Sequence, residues 1–159
     1  MGHRAIVALG SNLDGPIGDR VANLRFGIER LTPVIAQSHV FETAPIGGPD
    51  NQGAYLNMVA LIDTNLDPLA LLRQLNDIEA ASGRVRLVHW GPRTLDLDIL
   101  FYDDITLTSD VLTIPHPRYA ERRFVLAPLS QIAPERCPLG WEKSLPPDEV
   151  TDRGLLENL

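Results

Sequence analysis

The segment that decides the fold reads TLDLDILFY over residues 94–102. Apolar residues alternate there with two aspartates and then continue without interruption, which is the pattern of a strand with one buried face. Side chains at positions i and i+2 of a strand lie on the same face, so Asp96 and Asp98 share one face while Leu97 and Ile99 share the other. We therefore predict a strand that buries its apolar side chains in a core and presents two carboxylates on the opposite face.

Three further segments have strand patterns. Residues 5–9 read AIVAL, residues 34–43 carry β-branched and aromatic side chains, and residues 55–64 read YLNMVALIDT. The compact apolar run at residues 5–9 is typical of a buried strand. Residues 44–54 are rich in proline and glycine, so they predict a loop between the last two strands.

Two segments have helix patterns. Apolar residues recur at 4-3-4-3 spacing over residues 17–31, with Pro16 suited to the first turn and Pro33 ending the helix. A second helix is predicted to start with Asp67 as its N-cap, followed by a first-turn proline, and to stop near Gly83. A polar, arginine-rich loop then leads to the strand at residues 94–102.

The order of these elements is β-α-β-β-α-β, the ferredoxin-like split arrangement. We predict an α+β fold in which helices pack on an antiparallel sheet. Residues 124–132 add a short buried helix. The predicted domain spans residues 1–134, and residues 135–159 form a C-terminal extension that we expect to be loosely packed.

The composition is that of one soluble domain, with 159 residues, 44% hydrophobic residues and a net charge of −7. The acidic balance argues against a binder of nucleic acid or anionic membranes. Cys137 is the single cysteine, so an intrachain disulfide is impossible. The sequence has neither a signal-peptide pattern nor an apolar stretch of membrane-spanning length, so we expect a cytoplasmic protein.

The acidic pair at Asp96 and Asp98 has two interpretations. Carboxylates about 7 Å apart on one strand face repel each other. Solvent offsets that repulsion on an ordinary exposed face, and a cation offsets it in a metal site. Mg²⁺ suits the second interpretation because it is usually held by one or two carboxylates together with phosphates and water.

Basic residues near the pair favour a polyphosphate ligand, because arginine binds phosphate through a fork of N–H donors and stays charged. These residues are Arg84, Arg86, His89, Arg93, Arg118, Arg122 and Arg123. Lys143 is the only lysine, which excludes the G-x-x-x-x-G-K-[ST] phosphate loop and the protein-kinase lysine. The Gly10-Ser11-Asn12 turn could also present backbone N–H groups to a ligand.

Two other classes of protein fit parts of this pattern. Ferredoxin-like folds include RNA-binding modules, but the acidic balance and the lack of an aromatic-rich strand motif count against that class. A Mg-dependent phosphohydrolase would also use an acidic pair with arginines, with water as the attacking group.

From about residue 5 to residue 134 the chain resembles the 6-hydroxymethyl-7,8-dihydropterin pyrophosphokinase family. Six ordered blocks carry the resemblance, and the W-G-P-R-x-L-D-L-D-I block is the most specific. The blocks are ALGSNL (8–13), TAPIG (43–47), YLN (55–57), GRVR (83–86), WGPRTLDLDI (90–99) and PHPRYAERRF (115–124).

The resemblance implies transfer of a pyrophosphoryl group from ATP to the hydroxymethyl group of the pterin, with release of AMP, in folate biosynthesis. It implies that Asp96 and Asp98 bind two Mg²⁺ ions. The residues that it implies for catalysis are Arg84, Arg93, Asp96, Asp98, His116 and Arg122. The residues that it implies for ATP binding are Glu79, Arg84, Arg86, Arg93, Ile99, His116 and Arg122.

For the pterin, the resemblance implies stacking on Tyr55 and Phe124 and recognition by the Asn57 amide. Further pterin contacts are implied for Thr43, Ile46 and Trp90. The loops at residues 44–54 and 83–93 would close over the substrates. The implied partners are ATP and the pterin, without nucleic acid or membrane, and the protein is expected to be a monomer.

Three positions depart from the family pattern. His89 stands where an arginine is common, Ala44 where a second proline is common, and Val111 where some members have a basic residue. The grip on phosphate would therefore be weaker or shared differently, whereas the metal pair and the pterin residues match.

Overall fold

The strand that carries Asp96 and Asp98 lies at one end of a six-stranded sheet. The computed structural model describes residues 2–31, 33–43, 54–84, 93–145 and 150–159. The strands in chain order are β1 (His3–Ser11), β2 (Val34–Gln37), β3 (Val40–Thr43), β4 (Tyr55–Thr64), β5 (Asp96–Tyr102), β6 (Leu107–Thr108), β7 (Thr113–Ile114) and β8 (Val150–Gly154). The helices are α1 (Arg20–Arg30), α2 (Pro68–Ala81), α3 (Arg123–Ile132) and the single turn α4 (Trp141–Ser144).

The sheet has the strand order β5-β1-β4-β3-β8, and β2 also pairs with β4. All of these pairings are antiparallel. The short strands β6 and β7 form a separate hairpin. The predicted α+β, ferredoxin-like fold is therefore confirmed, with β8 as an additional edge strand.

Different helices cover the two faces of the sheet. On one face, Val7 belongs to a core that includes Leu24 of α1 and Leu75 of α2. On the other face, Ile6 belongs to a core that includes Leu126 of α3. Because strand side chains alternate between faces, the sheet is buried by apolar layers on both sides. No helix within the described ranges is long and apolar enough to cross a bilayer.

Helix α1 starts later than predicted. The turn between Gly15 and Gly18 has two backbone hydrogen bonds, of 2.8 and 3.1 Å, and the helix begins only after Asp19 accepts a hydrogen bond from the Ala22 N–H at 2.8 Å. Pro16 is therefore outside the helix. It packs closely against Gly83, where a Cβ atom would lie 2.5 Å from the proline ring.

The predicted strand at residues 34–43 is two strands, because the chain breaks its pairing at Ser38 and His39. The Ser38 hydroxyl accepts a hydrogen bond from the Val59 N–H at 3.0 Å, and the His39 N–H donates to Gln131 of α3 at 2.7 Å. Side chains thus replace ladder hydrogen bonds at this break.

The predictions for α2 and α3 are confirmed. Asp67 caps α2 by accepting from the Ala70 N–H at 2.8 Å, and Gly83 follows the helix with a positive φ of 90°. Glycine has no Cβ, so it adopts this left-handed conformation readily. Helix α3 covers residues 123–132.

Residues 150–159 are not loosely packed, which corrects that part of the prediction. Strand β8 adds to the main sheet by pairing with β3, and Leu156 is buried in the core beside α1. These contacts join residues more than 100 positions apart, so no local pattern indicates them. The boundary at residue 134 stays a prediction.

Candidate active site

A cavity of about 580 Å³ lies on the sheet face that α3 only partly covers. It brings together ten of the residues predicted for the site. They are Thr43, Tyr55, Asn57, Arg84, Arg93, Asp96, Asp98, His116, Arg122 and Phe124. Residues from three strands, from the segment between α2 and β5, and from α3 and the segment before it therefore converge on one space.

The acidic pair lies on the cavity face of β5, as predicted. Asp96 and Asp98 line the cavity, whereas Leu97 and Ile99 are buried in the core on the opposite face. Ile99, which was predicted to bind ATP, is 3% exposed, and its side chain lies on the core face of β5, away from the cavity. Strand alternation explains this placement, because a residue next to Asp98 cannot share its face. The binding of ATP by Ile99 stays a prediction.

Two arginines hold Asp96. Arg84 donates to one carboxylate oxygen at 2.9 Å, and Arg93 donates to the other at 3.3 Å. Arg84 is buried and also donates to Glu79. A fork of donors shared between two carboxylates fixes the direction of the guanidinium group.

Glu79 supports the site without lining the cavity. It is 3% exposed, and its carboxylate accepts from the Leu97 N–H at 2.7 Å besides its contact with Arg84. Glu79, which was predicted to bind ATP, thus connects α2 to β5 and orients Arg84 from outside the cavity. A buried carboxylate requires such pairing.

Asp98 is electrostatically exceptional. Burial, followed by the negative charges of Asp96 and Glu79, raises the pKa of Asp98 to about 7, although Arg122 and Arg84 oppose that shift. Among the described residues, no hydrogen bond or ion pair reaches its carboxylate. The Asp98 carboxylate therefore lacks a direct hydrogen-bond or ion-pair partner among the described residues, and a bound cation would supply one.

The acidic pair fits a hard divalent cation. Two carboxylates on one strand face are oxygen donors of the kind that Mg²⁺ takes, and the uncompensated Asp98 would gain most from a cation. In the described part of the chain, no group of three or more histidine, cysteine, aspartate or glutamate side chains could hold a metal. The remaining ligands would then be water and substrate phosphate oxygens.

His116 and Arg122 lie on the other side of the cavity. Burial, followed by the Arg122 charge, lowers the pKa of His116, so its ring is neutral at neutral pH. Its Nδ1 atom accepts a hydrogen bond from the Arg118 N–H at 3.1 Å. The ring proton is therefore on Nε2, which can donate to a ligand oxygen.

The apolar end of the cavity is formed by Tyr55, Phe124 and Asn57 together with Thr43. The Asn57 amide donates to the Thr43 hydroxyl at 3.2 Å, which orients the rest of the amide. Arg122 stacks on the Phe124 ring with its guanidinium carbon 5.6 Å from the ring centre. Burial raises the pKa of Tyr55, so its hydroxyl stays protonated. Aromatic faces beside an amide suit a flat heteroaromatic ligand.

Three predicted residues lie outside the described residues. They are Ile46 and Trp90, predicted for the pterin, and Arg86, predicted for ATP. The loops predicted to close over the substrates lie mostly outside the described residues as well, and so do the departures at Ala44 and His89.

The structure also reveals cavity residues that the prediction did not include. Gly10, Arg118 and Glu121 line the cavity. A Cβ atom at Gly10 would lie 3.1 Å from the Asn57 side-chain oxygen, so glycine keeps the floor open. The sequence analysis had already named Arg118 among the basic residues that favour a phosphate ligand, so its place in the cavity could have been predicted. No pattern in the sequence indicated a role for Glu121.

The Gly10-Ser11-Asn12 turn has a different role from the one predicted. The Asn12 N–H donates to the Arg93 carbonyl at 3.0 Å, and the Asn12 side chain accepts from the Arg93 N–H at 2.6 Å. The Asn12 backbone donor is thus already used, and this residue positions Arg93. Arg123 also turns away from the cavity, since it donates to the carbonyls of Glu142 and Leu145.

Comparison with known proteins identifies the family. A family model described as 7,8-dihydro-6-hydroxymethylpterin-pyrophosphokinase (HPPK) matches residues 6–134. The 2-amino-4-hydroxy-6-hydroxymethyldihydropteridine pyrophosphokinase of Haemophilus influenzae is 46% identical over 131 residues, which are 81% of either chain. The Bacillus subtilis protein of the same name is 44% identical over 137 residues, covering 83% of this chain and 79% of its own.

Solved structures support the same fold. A crystal structure of a triple mutant of Plasmodium falciparum HPPK-DHPS gives a TM-score of 0.66 at 16% identity, over 85% of this chain and 40% of its own. This likeness concerns the fold alone.

The fold and the cavity define a ferredoxin-like α+β protein with a carboxylate–arginine site on one face of its sheet. Curated relatives match the chain over most of their own length as well as over most of its length. The chain belongs to the HPPK family.

Proposed function

We propose that this protein transfers a pyrophosphoryl group from ATP to the hydroxymethyl group of 6-hydroxymethyl-7,8-dihydropterin, giving the pterin diphosphate and AMP in folate biosynthesis. The observation that carries the proposal is one cavity lined by two chemically different sets of side chains: aromatic rings and an amide, and carboxylates and arginines. The relatives are named as pyrophosphokinases of a hydroxymethyl-dihydropterin, and a pterin and a polyphosphate are the ligands that these two sets of side chains suit.

The reaction forms one bond and breaks another. The pterin hydroxyl oxygen attacks the β-phosphorus of ATP, the bond from that phosphorus to the oxygen bridging to the α-phosphate breaks, and AMP leaves with the electron pair. The hydroxyl proton is released to solvent. Positioning and stabilisation of charge supply most of the catalysis in such transfers.

At the pterin end, Tyr55 and Phe124 would stack on the ring, and the Asn57 amide would read its hydrogen-bonding edge. Thr43 orients that amide. Ile46 and Trp90 are proposed as further contacts on the basis of the resemblance. Aromatic faces beside a directed amide favour a flat heteroaromatic ring as the ligand.

At the phosphate end, arginines neutralise the anionic ligand. Arg84, Arg93 and Arg122 line this end, and His116 can donate from Nε2. Glu79 would act through Arg84, and Arg86 is proposed from the resemblance. Arginine donors aimed at phosphoryl oxygens stabilise the charge that shifts during transfer.

Asp96 and Asp98 are the residues that would hold Mg²⁺, with two ions as the resemblance implies. Bound Mg²⁺ neutralises phosphoryl oxygens and orients the ATP chain. The contacts of Asp96 with Arg84 and Arg93 are compatible with this role, because each guanidinium group has five N–H donors and can donate to phosphate oxygens as well as to the carboxylate.

The decisive assay contains Mg²⁺, ATP and the hydroxymethyl-dihydropterin. We expect AMP to form only when the pterin is present, together with a pterin diphosphate. Formation of ADP and phosphate without the pterin would instead identify a phosphohydrolase. RNA binding at low salt without AMP formation would favour the nucleic-acid-binding module.

The Asp98→Ala variant tests the role of the carboxylate. We expect its kcat/KM to fall about 1,000-fold, since a metal contributes several kcal/mol to such a transfer. Asp104→Ala is the matched control, because it removes an aspartate whose side chain is 96% exposed. Near-normal turnover by Asp98→Ala would contradict the metal-ligand assignment.

The compartment and the oligomeric state remain predictions. We propose a cytoplasmic monomer that binds no nucleic acid and no membrane. Sedimentation at micromolar concentration, with and without substrates, tests the monomer directly.

A further inference from the structure

The C-terminal strand β8 lies beside the pterin end of the proposed site. It pairs with β3, so that Val150 is opposite Thr43 and Asp152 is opposite Phe41. Thr43 is in turn opposite Tyr55 on β4. Strand β8 is outside the residues 6–134 that the family model matches.

A chain of polar contacts runs from β8 to the start of β4. Arg153 donates to one carboxylate oxygen of Glu42 at 2.7 Å, and the other oxygen is 4.0 Å from the Arg20 guanidinium. Arg20 donates to the Ala54 carbonyl at 2.8 Å. The chain thus joins β8, β3, α1 and the residue before β4.

These contacts end next to pterin residues without entering the cavity. Glu42 precedes Thr43, and Ala54 precedes Tyr55. Glu42 lies on the opposite face of β3 from Thr43, because strand neighbours alternate. The network is therefore placed to set the separation and orientation of Thr43 and Tyr55 from behind the sheet.

Strand β8 is anchored independently of this network. Leu156 is 3% exposed in the core, and Arg25 of α1 donates to the carbonyls of Leu156 and Leu159. Loss of the Arg153 contact should therefore leave β8 on the sheet. The side chains of Arg20, Glu42 and Arg153 are 33%, 28% and 51% exposed, so each is tolerant of substitution.

We propose that Arg153, Glu42 and Arg20 are positioning residues for the pterin, and that β8 is a brace for the strands that carry Thr43 and Tyr55. This inference rests on the proposed function. Among the described residues proposed for ATP, the network touches none: they lie on α2, on β5, at the ends of the segment between them and on the segment leading into α3. It should therefore affect recognition of one substrate and leave the other unchanged.

The test compares KM for both substrates in three variants. Arg153→Met should raise KM for the pterin about three- to fivefold, the effect expected from a partly exposed ion pair. KM for ATP and kcat should change less than twofold. Arg153→Lys keeps the positive charge and should retain most of the affinity for the pterin, which a purely structural role of the strand would not require.

Asp104→Asn is the matched control, since it removes an exposed ion pair with Arg136, at 3.0 Å, without touching the network. Glu42→Gln is the second test variant, and it decides the matter if Arg153→Met does not fold. Pterin binding, measured by fluorescence at equilibrium, should follow the change in KM.

The outcomes separate the two proposals. Failure of the wild-type protein to form AMP with the pterin rejects the proposed function and the brace together. An active wild type with unchanged pterin KM in Arg153→Met and Glu42→Gln rejects the brace alone. Equal rises in KM for pterin and ATP, or equal impairment of Arg153→Lys and Arg153→Met, also reject it.

Discussion

The Asp98 carboxylate stands on a buried sheet face, where Asp96 and Glu79 contribute further negative charge. The fold compensates Asp96 and Glu79 through Arg84, but no described side chain pairs with Asp98. A site that tolerates such a carboxylate sacrifices stability of the ligand-free protein. This unpaired carboxylate is the residue-level feature that supports the proposed cation site.

Asp98→Asn should stabilise the metal-free protein in a pH-dependent way. The folded state raises the pKa of Asp98 from 3.8 to about 7, so between these values it binds more protons than the unfolded chain. The contribution of Asp98 to the free energy of unfolding therefore falls as the pH rises from about 4 to 7. We expect the free energy of unfolding of the variant to exceed that of wild type at pH 7.5 by at most about 4 kcal/mol, the equivalent of a shift of about three pKa units.

Urea unfolding in EDTA from pH 4.5 to 7.5 measures this difference. The advantage of Asp98→Asn should be small at pH 4.5 and grow with pH. Asp104→Asn removes the same charge from an exposed side chain and serves as the control. A difference that stays constant over this range would contradict the unfavourable ionisation of Asp98.

Gly10 shows how a residue without a side chain shapes the cavity. In Gly10→Ala, the new methyl group would lie 3.1 Å from the Asn57 side-chain oxygen and 3.6 Å from the Tyr55 ring. We expect KM for the pterin to rise about tenfold, which corresponds to about 1.4 kcal/mol of lost binding, while KM for ATP stays within twofold. Equal binding of the pterin by variant and wild type would show that this floor is not part of its site.

At the scale of elements, α3 closes the sheet face that carries the cavity. Its Leu126 and Leu129 are fully buried against Ile6 and Val59. The helix therefore provides apolar packing at one end and, through Phe124, part of the cavity wall at the other. One helix of ten residues thus contributes both to the core on this sheet face and to the wall of the cavity.

Leu129→Ala should destabilise the protein by about 2–4 kcal/mol, because it leaves a cavity in the core under α3. Leu139→Ala removes the same atoms from a fully exposed position and should change stability by less than about 0.5 kcal/mol. Urea unfolding at constant pH measures both. Equal stability of the two variants would mean that α3 does not pack on the sheet in solution.

At the scale of the whole molecule, the net charge of −7 conceals a local cationic surface. Within the described part of the chain, four arginines line the cavity: Arg84, Arg93, Arg118 and Arg122. The acidic average argues against general affinity for polyanions, whereas the cavity places these four arginines beside three carboxylates, those of Asp96, Asp98 and Glu121. A negative molecule with arginines and carboxylates in one cavity is suited to bind a small anion together with a cation rather than a large polyanion.

Ligand binding should stabilise the whole protein most when Mg²⁺ and the nucleotide are both present. Mg²⁺ with a non-hydrolysable ATP analogue at about 100 times its dissociation constant should add about 2.7 kcal/mol to the free energy of unfolding. The analogue in EDTA should add much less, and Asp98→Ala should lose the increment due to Mg²⁺. Equal stabilisation with and without Mg²⁺ would contradict binding of the cation at the acidic pair.

Local patterns in the sequence predicted the elements and the class of site. The alternation in β5 placed Asp96 and Asp98 on one face, Asp67 and Gly83 marked the ends of α2, and ordered motifs indicated the family. These features depend on residues only a few positions apart, because backbone geometry imposes the periods of strands and helices. The late start of α1 and the break at Ser38 escaped prediction, since turn hydrogen bonds and a contact with α3 decided them.

Only the tertiary structure decided how the site works as a unit. The Glu79 contact with the Leu97 N–H, the raised pKa of Asp98, the Asn12 contact with Arg93 and the addition of β8 to β3 all join parts of the chain that are distant in sequence. The sequence by itself determined which chemical groups the protein has and the elements that carry them. Their pairing and burial were decided by folding, because distances and desolvation exist only once the sheet and helices have packed.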